Sequence, residues 1–118
     1  MIPIQRNARP GDQSLGGFSA KEADNTIQAR WRIRFYGQVQ HVGFRYTAFY
    51  LARKLELTGW VKNLADGSVL MEAQGQTAQL RKLLMQLKSQ LHLHITHTDI
   101  SVLSIQKEEK GFAVKSAG

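Results

Sequence analysis

The sequence predicts a small α+β domain built from one antiparallel sheet and two helices. From residue 31 onward apolar and polar residues alternate strictly, which is typical of a half-buried strand. Two later stretches place apolar residues at helical spacing, and an Asp-Gly pair between short apolar runs supplies the chemistry of a hairpin turn. At 118 residues, 42% of them apolar, the chain has room for one such domain.

The first 29 residues contrast with that pattern. They contain both prolines, several glycines and a mixture of polar residues, and they show neither a strand nor a helix periodicity. We predict a flexible N-terminal tail over residues 1–29 and one domain over residues 30–118. The tail lacks the apolar stretch of a secretory signal, and no run approaches the roughly 18 apolar residues of a membrane span. We therefore expect a cytoplasmic monomer with no membrane partner.

The elements of the domain can be assigned in order from the hydrophobic pattern. The predicted elements are a strand over residues 31–36, a helix over 44–56, strands over 58–63 and 69–74, a helix after an N-cap at Thr77, and strands over 100–106 and 112–115. Gly75 is expected to end the third strand, and the imperfect alternation of the fourth indicates a bulge. This β-α-β-β-α-β order, with a short terminal strand, predicts a ferredoxin-like sandwich with both helices on one face.

Charge and cysteine content limit the possible functions. The formal net charge is +7, so the domain attracts anions, either a nucleic acid or a small phosphorylated metabolite. The chain contains no cysteine, which excludes a disulfide framework, a thiolate nucleophile and cysteine-ligated zinc. No cofactor is implied by the sequence.

The most informative stretch is the predicted loop over residues 37–43, which connects the first strand to the first helix. Such a loop and the helix N-terminus offer backbone N–H groups and a positive dipole to an anion. Gly43 allows close approach of the backbone, and Arg45 in the first helical turn can hold two phosphate oxygens. From spacing alone, turn glycines and a solvated surface arginine explain the stretch equally well.

A second feature lies at the end of the second strand. A right-handed crossover makes strands one and two parallel, so their carboxyl ends share one edge of the sheet. Asn63 ends strand two and is therefore expected near the loop that follows strand one. Its amide carries both a donor and an acceptor and can orient a water molecule, although an asparagine before a hairpin is also ordinary turn chemistry.

The two stretches together resemble the signatures of the acylphosphatase family, G-x-V-Q-G-V-x-F-R and G-[FYVW]-[AV]-x-N. They correspond here to residues 37–45 and 59–63, followed by Asp-Gly-Ser-Val at residues 66–69, and the match continues in register over residues 31–115. The resemblance implies metal-free hydrolysis of acyl phosphates to a carboxylate and inorganic phosphate. Arg45 matches the family's phosphate-binding arginine, and Asn63 matches the asparagine that positions the attacking water.

The backbone of the phosphate-binding loop is implied by the same resemblance. Its residues are Gln40, His41, Val42, Gly43 and Phe44. His41 departs from the family, which usually has glycine at this position. If the position requires a positive φ, histidine costs about 1–2 kcal/mol of strain. We expect the imidazole to project into solvent while the backbone N–H still serves the loop.

Three other interpretations remain open at this stage. A basic ferredoxin-like sheet can bind nucleic acid, but this requires exposed aromatic residues on the two central strands in an RNP-type pattern, which the sequence does not show. The domain can also bind a phosphorylated metabolite without hydrolysing it. A zinc site formed by His92, His94 and His97 fits no common ligand spacing, which favours polar loop residues. Arg32 and Arg34 are expected on a solvated face of the sheet.

Overall fold

The computed structural model describes residues 27–90 and 94–116. Most of the predicted tail over residues 1–29 lies outside these ranges, but Gln28 and Ala29 belong to the first strand, so the boundary predicted at residue 30 was too late. Within them the chain forms β1 (Gln28–Gln38), α1 (Phe44–Lys54), β2 (Thr58–Asn63), β3 (Val69–Gln76), α2 (Thr77–Lys88), β4 (His94–Leu103) and β5 (Phe112–Lys115). No helix in this part of the chain combines the length and the apolar character that crossing a membrane requires.

The strands form a single sheet in the order β4-β1-β3-β2-β5. β3 pairs antiparallel with both β1 and β2, so those two strands run parallel to each other on either side of it. β5 joins the outer side of β2 in parallel, which makes the five-stranded sheet mixed rather than wholly antiparallel. The predicted ferredoxin-like α+β fold is confirmed.

One apolar core lies between the two helices and one face of the sheet. The alternation that predicted β1 is also what fills this core, since Ile33 and Phe35 are fully buried and Trp31 packs against them. The helices contribute their apolar stripes to the same cluster, through Phe44, Ala48 and Ala52 of α1 and Leu80, Leu83 and Leu87 of α2. Both helices therefore cover the same face, as predicted.

The junction between β3 and α2 differs from the prediction. β3 does not end at Gly75 but continues to Gln76, because its last residues pair with Gln28 and Ala29 at the start of β1. The chain then passes directly into α2, so that the extended Gln76 occupies the N-cap position and Thr77 is the first helical residue. The prediction of Thr77 as the N-cap was wrong, since sequence alone did not reveal this strand-to-helix transition.

The position of β4 was also predicted incorrectly. The strand spans His94–Leu103 rather than residues 100–106, and its register shifts opposite Tyr36 and Gly37 of β1, outside the range where we expected a bulge. β4 is the outer strand next to β1, and α1 and α2 leave much of it uncovered, so Ile100 and Val102 are 47% and 75% exposed. Weak burial explains why the alternation was difficult to recognise. His92 and Leu91, the last predicted residue of the leucine stripe, lie outside the described residues.

The face of the sheet opposite the helices carries a network of ion pairs around Arg30. This side chain is 2% exposed and donates to Glu72 Oε1 at 2.8 Å and to Glu109 Oε1 at 2.8 Å. Arg32 donates to the other oxygen of Glu72 at 2.6 Å. Arg32 therefore faces outward as predicted, but a carboxylate binds it. Through Glu109, the network holds the segment before β5 against the middle of the sheet.

The same contacts change the acidity of the two carboxyl groups. Burial favours the neutral form of Glu72, but hydrogen bonds from Arg32 and Arg30 outweigh it and lower the pKa of the carboxyl group. For Glu109 burial is likewise outweighed, here by hydrogen bonds from Arg30 and Thr58, and its pKa is also lowered. Both groups therefore favour the folded state only while they remain ionised.

We expect the free energy of unfolding to fall as the pH decreases below about 4.5, the ordinary value of these carboxyl groups. The unfolded chain binds more protons than the folded one in this range, so acid favours unfolding. Glu72→Gln is expected to lower the free energy of unfolding by about 3 kcal/mol near pH 7, because buried Arg30 loses a carboxylate partner. It should also reduce the slope of the free energy of unfolding against pH in acid. Urea unfolding at a series of pH values measures both effects.

Glu108→Gln is the matched control, because Glu108 is exposed and has no ion-pair partner among the described residues. It is expected to change neither the free energy of unfolding near neutral pH nor the acid slope appreciably. An unchanged slope in Glu72→Gln and Glu109→Gln would contradict this assignment.

Candidate functional site

Apolar side chains hold the loop between β1 and α1 at both of its ends. Val39 is fully buried before the loop, and Phe44 is 2% exposed at the first position of α1. The ring centroids of Phe44 and Phe35 lie 4.8 Å apart in the core. Val42 packs partly against the same cluster. We call residues 40–44 the 40–44 loop, and these anchors fix its backbone against the end of the sheet.

Two residues of the loop have a left-handed backbone conformation. His41 has φ 64° and Gly43 has φ 79°, both in the left-handed region. His41 is exposed, which confirms that its side chain projects into solvent. The first glycine of the motif, Gly37, is not a turn residue but part of β1, where an added Cβ would lie 2.0 Å from the carbonyl oxygen of His94.

The loop and the first turn of α1 present a run of backbone donors. The first helical bond runs from Thr47 N to Gly43 O at 2.9 Å, so the backbone N–H groups of residues 44–46 have no acceptor within α1. The first N–H groups of a helix have no partner inside it and form a natural anion site. α1 has no acidic residue in its first turn, so no carboxylate opposes an anion there.

Arg45 and Asn63 meet at this loop. A cavity of about 240 Å³ at the edge of the sheet is lined by Val39, His41, Gly43, Phe44, Arg45, Tyr46 and Asn63. The guanidinium of Arg45 donates from Nη1 to the carbonyl oxygen of Lys115 at 2.9 Å, which holds it beside β5 at the rim. The parallel arrangement of β1 and β2 thus joins two residues that are 18 positions apart in the sequence.

The amide of Asn63 is the other distinctive group of the site. Its Oδ1 atom is buried and accepts no hydrogen bond from the described residues. A buried polar atom without a partner costs free energy in a folded protein, and a catalytic role or a bound water is among the explanations for one. An acceptor of this kind can bind a hydrogen of a water molecule or of a ligand.

Two predicted loop residues point their side chains away from the cavity. Val42 packs toward the core, whereas the Gln40 amide bonds to the turn between β2 and β3. Sequence reasoning assigned Gln40 a backbone role alone and did not identify Val39 or Tyr46 as lining residues. The sequence signal that could have identified Tyr46 is its position directly after Arg45, in the same helical turn.

Two other candidate sites have less suitable chemistry. A second cavity, of about 170 Å³, lies at the opposite edge of the sheet near the end of α1, and its lining includes Glu56 but no cationic side chain. His94 and His97 lie on β4 rather than in a loop, and His97 Nε2 pairs with Asp99 Oδ1 at 2.7 Å. Within residues 27–90 and 94–116, no three His, Cys, Asp or Glu side chains are grouped to hold a metal ion.

Known proteins are similar to this chain over the part that carries the site. The family model described as Acylphosphatase matches residues 31–114. The acylphosphatase of Geobacillus thermodenitrificans is 37% identical over 83 residues, 70% of this chain and 88% of that protein. The acylphosphatase of Clostridium beijerinckii is 38% identical over 87 residues, 73% of this chain and 97% of that protein. The crystal structure of acylphosphatase from Bacillus subtilis superposes with a TM-score of 0.69 at 31% identity and covers 74% of this chain and 98% of that chain.

We expect His41→Gly to raise the free energy of unfolding by about 0.5 kcal/mol. Removing the left-handed strain stabilises the folded state by about 1–2 kcal/mol. The greater freedom of glycine stabilises the unfolded chain by about 0.4–1 kcal/mol, which offsets part of that gain. Urea unfolding measures the change. Glu56→Gly is the matched control, since Glu56 has φ 60° just after α1 and is exposed, and it should gain a similar amount.

A loss of stability in His41→Gly, with a gain in Glu56→Gly, would contradict this expectation. That result would mean that the imidazole of His41 makes a contact that stabilises the folded loop.

Proposed function

This chain belongs to the acylphosphatase family and is a hydrolase of acyl phosphates, and we propose that the 40–44 loop and Arg45 bind the phosphoryl group while Asn63 orients the attacking water. The observation that carries the proposal is the cavity shared by Arg45, Asn63 and the loop. The substrate is an acyl phosphate, and the products are a carboxylate and inorganic phosphate.

The binding step rests on charge and on backbone donors. The phosphoryl oxygens accept hydrogen bonds from N–H groups of the 40–44 loop and of the first turn of α1, where residues 44–46 have no acceptor within the helix. Arg45 adds a planar cation that holds two oxygens at once. Because Arg45 keeps one N–H on the carbonyl of Lys115, its guanidinium is held in place before substrate arrives.

The chemical step needs an oriented water and stabilisation of charge. The Asn63 Oδ1 atom, buried and without a partner in the described residues, accepts one hydrogen of the water and directs its lone pair at phosphorus. The new P–O bond forms as the bond to the carboxylate oxygen breaks, and a phosphoryl oxygen takes the water's proton. A carboxylate leaves readily, so positioning and charge stabilisation account for most of the catalysis.

The open face of the sheet does not favour nucleic acid as an alternative ligand. The guanidiniums of Arg30, Arg32 and Arg34 are paired with carboxylates. The aromatic rings of this face, Tyr36 and Trp60, already contact the cationic side chains of Arg34 and Lys115, whereas base stacking needs free ring faces. The proposal therefore assigns the basic character of the domain to attraction of a small anionic substrate.

The proposal includes a cytoplasmic monomer. One chain supplies every group assigned a role, since the loop, Arg45 and Asn63 line the same cavity. The relatives reported above are bacterial acylphosphatases of similar length to the matched domain. Sedimentation at concentrations used for assays tests the monomer.

The decisive experiment is hydrolysis of benzoyl phosphate in the presence of EDTA. We expect turnover by the wild type, a fall of about 100-fold or more in kcat for Asn63→Ala, and a fall of about 1,000-fold in kcat/KM for Arg45→Ala. Inorganic phosphate as a competitive inhibitor separates the roles. Its Ki should rise strongly in Arg45→Ala and change little in Asn63→Ala, because the amide acts on water.

Arg53→Ala is the matched control, because Arg53 is an exposed arginine in the last turn of the same helix. It should retain wild-type kinetics. A folded wild type that binds inorganic phosphate but does not hydrolyse benzoyl phosphate would overturn the proposal in favour of a binding domain.

A further inference from the structure

The side chain of Gln40 connects the 40–44 loop to the turn that follows Asn63. Its Nε2 atom donates to the carbonyl oxygen of Leu64 at 2.7 Å and to that of Ser68 at 2.8 Å. A primary amide has two N–H donors, and both are used on this turn. Leu64 is the residue directly after Asn63, so the contact reaches the backbone beside the Asn63 amide.

The turn that receives these hydrogen bonds is itself held rigidly. Leu64 N donates to Ser68 O at 2.9 Å, and Ser68 donates from its backbone N and from Oγ to Asp66 Oδ1 at 3.0 and 2.6 Å. From the middle of the sheet, Arg34 donates to Ser68 Oγ at 3.0 Å and pairs with Asp66. Hydrogen bonds from Ser68, and then from Arg34, lower the pKa of Asp66 to about 2, so this support persists at neutral pH.

The backbone ladder does not join β1 and β2 directly. β1, which leads into the loop, and β2, which carries Asn63, are separated by β3. Neighbouring strands lie about 4.8 Å apart, so the ends of β1 and β2 are about twice that distance apart, beyond the reach of a direct backbone hydrogen bond. β3 joins them indirectly, since Val69 pairs with both Phe35 and Asn63, but this ladder ends five residues before the loop. The Gln40 amide adds a direct contact from the loop to the turn after Asn63.

We infer that Gln40 is a positioning residue, whose side-chain amide sets the placement of Asn63 relative to the phosphate-binding loop and thereby aligns the attacking water. The inference rests on the proposed function. Misplacing a reacting group by about 1 Å can cost about 100-fold in rate. Loss of the Gln40 amide should therefore lower kcat, while the loop N–H groups and Arg45 continue to bind phosphate.

A double-mutant cycle with benzoyl phosphate tests this role. Gln40→Met keeps the length of the side chain but removes both donors. We expect kcat to fall about 10-fold to 30-fold, with less than about a threefold change in the Ki of inorganic phosphate. In the Asn63→Ala background, Gln40→Met should change kcat by less than about twofold, because the group that it positions is gone.

Gln79→Met is the matched control. Gln79 also donates from Nε2 to a backbone carbonyl, that of Leu55 at 3.4 Å, but at the opposite edge of the sheet. This variant removes a glutamine-to-carbonyl contact without approaching the site, and its kcat should equal that of the wild type. Urea unfolding of both methionine variants shows whether each is folded under assay conditions.

Gln40→Glu provides a readout that a general loss of stability would not produce. An ionised carboxyl group facing two carbonyl oxygens repels both, whereas a protonated one donates one hydrogen bond, so its pKa is expected to be raised. The ratio of its kcat to that of the wild type should therefore rise as the pH falls from about 7 to about 5. For Gln40→Met the same ratio should stay constant.

Two results would overturn the inference. One is an equal loss of kcat from Gln40→Met with and without Asn63, and the other is a rise in the Ki of phosphate as large as the fall in kcat/KM. The second would mean that the amide supports the loop alone. Failure of the proposed function has a different signature, since the wild type would then not turn over benzoyl phosphate or Asn63→Ala would be fully active.

Discussion

The insertion of β3 between β1 and β2 is the constraint on which the rest of the structure depends. Because β3 is antiparallel to both neighbours, β1 and β2 must be parallel, and their carboxyl ends share one edge. The loop after β1 and Asn63 at the end of β2 consequently face the same cavity. The same insertion keeps the two strand ends a full strand apart, so the ladder joins them only through Val69 of β3, and the Gln40 side chain adds a direct contact.

The 40–44 loop divides its tasks between side chains and backbone. Val39 and Phe44 are buried on the core side, and this burial holds the intervening peptide groups in place at the edge of the cavity. A recognition surface made of peptide groups tolerates changes of side chain. Histidine can therefore occupy position 41, where its cost is confined to an unfavourable φ.

Much of the fold was predictable because burial imposes a visible period. The alternation around Ile33 and Phe35 and the leucine stripe of α2 identified these elements, and the two motifs identified the loop, Arg45 and Asn63 as one candidate site. β4 was misplaced because an outer strand with little burial needs no strict alternation. The bond from Gln40 to Ser68 spans 28 residues, and the role of Arg30 depends on Glu109, 79 residues away. No local pattern encodes partners so distant in sequence.

The outer position of β4 has a consequence for the protein in concentrated solution. Outer strands are usually protected by lysine, proline or short length, whereas β4 has ten residues and contains neither lysine nor proline. With Ile100 and Val102 exposed, it offers another molecule both backbone hydrogen-bonding groups and apolar surface. The net charge of +7 opposes such encounters, and dissolved ions screen that repulsion over about 8 Å at physiological ionic strength. Salt, which scarcely affects the apolar core, therefore governs how long a concentrated solution remains monodisperse.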